Sequence, residues 1–221
     1  LFTALSGYFR LIYAMVSISF LGISVWAHHM FLDIDWDRRS FFAFMSILVG
    51  LPTGVKVFRW IYNLLGMSLL TSLDYPVFMS LLFISVFSFG GMTGLVVRLC
   101  RTNQFFHDTY YVVAHFHFVM SISASIGFLL GYLHLTWLFC KSCVERRSLI
   151  RLVILITFLS TSTFFVQHNL GLHGIPRRYA LVYLSELRCN RLSSMLASMN
   201  TVLVVMLANE SAANWLGLVK K

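Results

Sequence analysis

Charge is what this 221-residue sequence has least of: Asp, Glu, Lys and Arg together make up 11% of it, where a soluble domain carries about 25%. Set beside a hydrophobic fraction of 58% and 16% aromatics, that shortage excludes an ordinary soluble globule and places the chain in a bilayer. Acidic side chains are scarcest, eight against seventeen basic ones, for a net charge of +9. In a soluble protein such a surplus would suggest nucleic acid. Here the basic residues fall between apolar runs, so membrane lipid is the expected neighbour and nucleic acid is not. Cysteine is sparse too: Cys140 and Cys143 form one C-x-x-C, and Cys100 and Cys189 make no second one, which excludes a four-cysteine zinc set. No basic N-terminus runs into a short apolar core with a small-residue cleavage site, so no secretory signal is expected. Internal repeats and low-complexity linkers are absent as well, and a single domain over 1–221 is expected.

Long apolar stretches are what the sequence has instead. A membrane helix needs about 20 apolar residues, and six stretches qualify, at 11–31, 40–65, 76–97, 110–139, 149–170 and 192–207, the last short. The loops between them are brief, which predicts an all-α integral membrane protein. Six spans put both termini on one side, A, and the loops after spans one, three and five on the other, B. Arg10, Arg59, Lys141, Arg146, Arg147, Arg151, Lys220 and Lys221 then lie on side A, against Arg38, Arg39, Arg98, Arg101, Arg177, Arg178, Arg188 and Arg191 on side B. At eight against eight, the positive-inside rule gives no orientation.

Polar residues orient the chain where charge counting does not. His28 and His29 close the first span on side B, His107 and Asp108 stand in the next B-side loop, and Arg177 and Arg178 follow Pro176 in the third. His115 and His117 lie 8–10 residues deeper, roughly 12–15 Å at 1.5 Å per residue. Two residues apart on a helix, they point roughly 200° away from one another. They cannot share a metal; each can ligate a separate centre on its own side of the helix. A lone membrane histidine commonly serves packing, but ionisable groups at that depth are costly, and a cluster of them points to function. Lys56, about 16 residues into the second span, is a further costly group. It snorkels or lies on a proton path, and Arg59 already stands closer to the side A interface.

Four stretches carry a resemblance. His107-Asp108-Thr109-Tyr110-Tyr111-Val112-Val113-Ala114-His115-Phe116-His117, Trp26-Ala27-His28-His29-Met30-Phe31, Pro52-Thr53-Gly54-Val55-Lys56-Val57-Phe58 and Pro176-Arg177-Arg178-Tyr179 occur in the order found in subunit I of the haem-copper oxidase family. The chain resembles helices seven to twelve of that family's twelve, the C-terminal half of the bundle. The resemblance implies that His115 is the axial ligand of the high-spin, oxygen-binding haem and His117 one axial ligand of the low-spin haem. It implies that His28 and His29 are two of three copper ligands and that Lys56 with Thr53 belongs to a lysine-type proton path. Arg177 and Arg178 would bind haem propionates, and His107 and Asp108 a magnesium ion. Gln167 and His168 also fit the pattern, in a supporting role, whereas the loop of residues 32–38 is shorter than the family's.

The implied cofactors are two haems, of the a and a3 type, with copper and magnesium. The implied activity is cytochrome c oxidase: reduction of O2 to water coupled to proton translocation in the respiratory chain. The partners would be subunits II and III, cytochrome c as donor, and a separate chain carrying the N-terminal half with the third copper histidine, the opposite axial histidine and the second proton path. A first residue other than Met agrees with a processed product, an unusual start or a separately made piece of a longer subunit. The implied location is the mitochondrial inner membrane, with side B toward the intermembrane space; the alternative is a bacterial plasma membrane. Two other readings keep the same residues, a quinol-oxidising relative and a non-catalytic structural subunit. The second of these gives no reason to retain costly polar groups in lipid.

Overall fold

The computed structural model describes residues 7–65, 75–140, 146–180 and 184–219; Lys141, Cys143, Lys220 and Lys221 lie outside them. The order is α1 (Tyr8–Ser24), α2 (Trp36–Leu65), α3 (Tyr75–Arg98), a short α4 (Cys100–Phe106), α5 (Tyr110–Phe116), a π-helical turn (His117–Ile122), α6 (Ser123–Cys140), α7 (Arg146–Leu172) and α8 (Leu187–Val219). The described residues contain no strand, and a single bridge joins Thr109 to Pro176. Five stretches are long and apolar enough to cross a membrane: Trp36–Leu65, Pro76–Arg98, Tyr110–Leu135, Ser148–Leu172 and Leu187–Ala212. The architecture is an all-helical, multi-pass membrane bundle.

Two helices depart from the spans expected above. α1 stops at Ser24, seven residues before the expected end of the first span, and His28 and His29 lie in tight turns beyond it. The Ser24 hydroxyl bonds to the Leu21 carbonyl at 2.6 Å, offering the last turn an alternative to the helical ladder. The chain then folds through bonds from the His28 amide to the Val25 carbonyl and from the Met30 amide to the Ala27 carbonyl. At the other end of the chain, α8 begins at Leu187 and not at 192. Arg188 and Arg191 sit within its first turns, where their charge reads as loop although the backbone is helical.

The main core lies where α3, the π-turn, α6, α7 and α8 meet, with Met79, Val86, Phe118, Ile122, Ile126, Leu149, Val153 and Leu207 among its buried side chains. A smaller cluster of Ala27, Phe31 and Phe42 pins the turns carrying His28 and His29 against α2. The bend that follows is held by Arg39, whose Nε donates to the Ile34 carbonyl at 2.7 Å.

Candidate redox site

The π-turn begins at His117 and inserts one extra residue into what would otherwise be a single helix from Tyr110 to Cys140. The buried Ser123 hydroxyl bonds to the Phe118 carbonyl, five residues back, at 2.7 Å. π-turns of this kind are frequent at functional sites.

His115 faces α3. Its Nδ1 lies 2.9 Å from the Gly90 carbonyl and 3.2 Å from the Thr93 hydroxyl, and that hydroxyl itself donates to the same carbonyl at 2.7 Å. A neutral imidazole in this setting carries its proton on Nδ1 and presents the Nε2 lone pair, the form that ligates iron. The fit is close: a Cβ added at Gly94 would come within 2.6 Å of His115 Cε1. Gly90, one turn earlier, lets Phe118 and Val119 approach to 3.0 and 2.8 Å of the corresponding point. The glycine pair four residues apart is a small-xxx-small pattern, which lets membrane helices approach closely; that spacing was the signal for this contact in the sequence.

His117 faces the opposite way, toward α7. Its Nδ1 lies 2.8 Å from the Val113 carbonyl, and its ring stacks on Phe164 at 4.3 Å and on Phe116 at 4.4 Å. Here too the carbonyl takes the Nδ1 proton and leaves Nε2 as a ligand. Both imidazoles therefore have the tautomer that would let Nε2 hold a haem iron, on opposite sides of one helix.

His28 and His29 have ring centres 3.9 Å apart, inclined at 50°. On a helix, adjacent side chains diverge by about 100°, so this convergence depends on their place in the turns beyond α1. His28 Nδ1 bonds to the Val25 carbonyl. Both rings lie within electrostatic reach of His115, and His29 also of His107 and Arg177. The three polar loops expected on side B thus come together. No group of three or more His, Cys, Asp or Glu side chains is positioned to hold a metal ion among the described residues; two imidazoles supply half of a typical copper set, and imidazole suits copper.

The lid over the histidines is a clamp between the loops at 107–110 and 175–178. Arg177 grips Asp108 Oδ1 through Nη2 at 2.7 Å and Nε at 2.9 Å. The Arg177 amide donates to the Asp108 carbonyl at 2.7 Å, and the Tyr110 amide to the Ile175 carbonyl at 3.1 Å. Asp108 Oδ2 lies 3.4 Å from His107 Nε2. The Arg177 hydrogen bond, with the nearby positive charges, holds the Asp108 carboxyl below the usual carboxylate range, against a smaller opposing effect of burial. His107 and Asp108 are adjacent, as a shared cation would need, but one carboxylate and one imidazole are a partial shell for magnesium, which takes oxygen ligands. Arg178 is exposed and Arg177 half-buried. Asp108 and Arg178 adopt φ of 56° and 69°, the left-handed region that non-glycine residues seldom occupy.

The clamp rests on contact between α5 and α7. A Cβ at Gly171 would fall 2.1 Å from the Tyr111 amide nitrogen, so the two backbones touch. His168, one turn earlier on α7, is buried with its ring edge-on to Tyr111 at 5.0 Å and near Phe118 at 5.4 Å. Gln167 donates to the Ser193 hydroxyl at 3.2 Å and ties α7 to α8. Phe164, Gly90, Gly94 and Gly171 were not singled out from the sequence.

Lys56 and Thr53 lie apart from this cluster, within α2. Thr53 donates to the Val49 carbonyl at 2.9 Å, and the Lys56 ammonium lies 5.2 Å from the centre of the Trp60 ring. Pro52 stands inside the same helix and leaves the Leu48 carbonyl without its usual helical donor.

The sequence matches the family model described as cytochrome c and quinol oxidase polypeptide I over residues 3–208. It is 42% identical over 174 residues to cytochrome c oxidase subunit 1 of Pecten maximus, covering 78% of this chain and 36% of that one. With the protein of the same name from Cereibacter sphaeroides it shares 39% over 176 residues, 78% of this chain and 30% of the relative. With that of Debaryomyces hansenii it shares 35% over 202 residues, 90% and 37%. The chain spans about a third of the length of these relatives. A match that runs through every helix of the site, over residues 3–208, shows that the chain belongs to the cytochrome c and quinol oxidase polypeptide I family of haem-copper oxidases.

Proposed function

We propose that this chain is part of the catalytic subunit of a cytochrome c oxidase of the mitochondrial inner membrane, reducing O2 to water and coupling that reaction to proton translocation. The observation that carries the reading is the His115–His117 pair: two imidazoles on opposite faces of one helix, each with Nδ1 against a backbone carbonyl and Nε2 available. When bound, two haems, of types a and a3, and one copper would supply the electron transfer and oxygen binding. His115 would hold the high-spin haem iron, His117 the low-spin one, and His28 with His29 the copper. The protein's own part is to fix these imidazoles in one tautomer, to keep α3 pressed against His115, and to close side B with the Asp108–Arg177 clamp. Arg178 and the remaining donors of Arg177 would meet haem propionates, and His107 with Asp108 would hold magnesium together with water and ligands from elsewhere. Thr53 and Lys56 would carry protons from side A.

The third copper histidine and the opposite axial ligand of the His117 haem would come from outside these 221 residues, on a separate chain bearing the N-terminal half of the subunit. Subunits II and III and cytochrome c would complete the assembly. The experiment is oxygen consumption by the purified complex carrying His115→Ala. It should lose cyanide-sensitive turnover; persistence of that turnover would contradict the assignment. Assay with reduced cytochrome c and with a quinol identifies the donor, and mass spectrometry of the complex shows whether a second polypeptide carries the missing histidines.

A further inference from the structure

An ammonium at membrane depth needs a partner. Among the described residues no carboxylate pairs with Lys56. Its Nζ lies instead 5.2 Å from the centre of the Trp60 indole, within the roughly 6 Å over which a ring face attracts a cation. Lys–Trp contact at a spacing of four residues is ordinary on a helix surface. What sets this one apart is that the indole is also packed against α3. Phe83 and Phe87 of α3 meet Trp60 edge-on at 5.6 and 6.0 Å. These two rings are themselves stacked, 5.8 Å apart and 10° from parallel, and Phe83 backs onto Gly127 of α6, where an added Cβ would stand 3.6 Å from it.

The neighbouring charges reinforce the point. Arg59, three residues on, lies over Tyr62 at 5.6 Å, and Arg98 of α3 reaches the Ser46 carbonyl at 3.3 Å, farther along α2. The remaining charged groups on the elements packed against α2 are Arg10 on α1 and Arg101 on α4. All four are cations, and Asp37, the acidic residue of α2 itself, stands in its first turn, nineteen residues from Lys56, so among the described residues of these elements the π-face is the attractive surface beside Lys56. Left without it, a lysine stem of four methylenes would carry its ammonium toward the interface.

We propose that Trp60 is a positioning residue for Lys56: its caged indole face holds the ammonium at membrane depth, one turn from Thr53, and keeps it from snorkelling to side A. This rests on reading Lys56 as the proton carrier of the oxidase. Trp60 touches neither substrate nor cofactor in this role; it acts through the lysine.

The test uses the assembled oxidase complex and two readouts. Ultraviolet resonance Raman difference spectra between the native complex and Lys56→Met should show a change in indole bands that is absent when the same pair is compared in a Trp60→Phe background. Anaerobic reduction of the oxygen-binding haem, followed optically, should slow about tenfold in Trp60→Leu, the scale of a partly desolvated cation–π contact. Trp60→Phe, which keeps a π-face, should recover to within about threefold of native. Phe87→Leu, which leaves Trp60 in place but opens its cage, should fall between them, and it decides the matter if Trp60→Leu does not assemble. A native reduction rate in Trp60→Leu at full haem content would overturn the proposal, as would a Phe variant as slow as the Leu variant. If Lys56→Met leaves the reduction rate unchanged, the proton-carrier reading fails instead, while the Raman difference still reports on the contact.

Discussion

His115 is positioned by what its neighbours lack. The missing Cβ at Gly94 is the space its imidazole occupies, and a methyl group there would stand 2.6 Å from Cε1. Gly94→Ala should therefore push the ring off the Gly90 carbonyl, at about 1–3 kcal/mol of overpacking. On the proposed ligation, the expected outcome is a complex that retains the low-spin haem spectrum and loses the high-spin one, read by optical spectroscopy with and without cyanide. Asp108 makes a different kind of prediction. Its folded-state pKa is depressed, chiefly by the Arg177 hydrogen bond, so the clamp's contribution is present above the unfolded carboxyl value of about 3.9. It is lost as pH falls through the lower folded value. Hydrogen exchange at the Tyr110 and Arg177 amides should rise in that acid window, and Asp108→Asn should show the raised exchange at neutral pH. With the Asp108 side chain 52% exposed, the effect is a local loosening and not unfolding. At this scale the sequence was informative about the histidines, because a two-residue spacing on a helix dictates opposite faces whatever surrounds it. It said little about what each faces: Phe164 and Gly94 lie 47 and 21 residues from the histidines they touch, and only tertiary packing brings them there.

Elements meet most closely where α5 and α7 cross. At Gly171 the neighbouring atoms are the Tyr111 backbone, 2.1 Å from an added Cβ, so no side-chain rotation can relieve a substitution. Gly171→Ala should separate the two helices, cost about 3 kcal/mol or more, and abolish assembly, seen as loss of both haem spectra and of the intact complex on native gels. The π-turn is a milder case. The Ser123 hydroxyl adds a second bond to the Phe118 carbonyl, which already accepts the Ser123 amide, and Ser123→Ala should lower stability by about 1 kcal/mol, measured as a modest drop in the thermal midpoint of the haem-loaded complex. Neither feature had a compositional mark. A π-turn differs from an α-turn by one residue in the hydrogen-bond ladder, and His117-Phe118-Val119-Met120-Ser121-Ile122 is as apolar as the helix on either side. The end of α1 was hidden for a similar reason: Val25, Trp26 and Ala27 extend the apolar run past Ser24, and hydropathy does not register that the backbone has turned. Where charge interrupts the pattern the error runs the other way, as at the start of α8, where two arginines make a helical turn look like a loop. The five long helices and their order were legible because each span needs about 20 apolar residues, whereas the first of the six expected spans is a 17-residue helix, shorter than the other five; helix ends are set by local hydrogen bonds that hydropathy does not see.

Across the whole molecule, burial is uneven in a way that bears on the site. Of the most apolar 18-residue window of each helix, 33% is buried in α7 and 28% each in α3 and the α5–α6 helix, but 6% in α2. His115 and His117, the proposed haem ligands, therefore stand on the well-packed part, whereas His28 and His29 precede α2, the least covered of these five long helices, and are held by a cluster of three buried residues. Low local contact means low local stability. If the surrounding chains were stripped away by a progressively harsher detergent, α1 and α2 should loosen before α5 and α7. On the proposed ligation the complex should then lose copper first and the haem spectra later. Metal analysis and visible spectra taken along the same detergent series, with hydrogen exchange resolved by peptide, would show the order. Simultaneous loss of copper and both haems, with α2 and α7 exchanging together, would mean that the contacts within this chain do not rank the stability of its sites, and that the whole assembly opens as one unit.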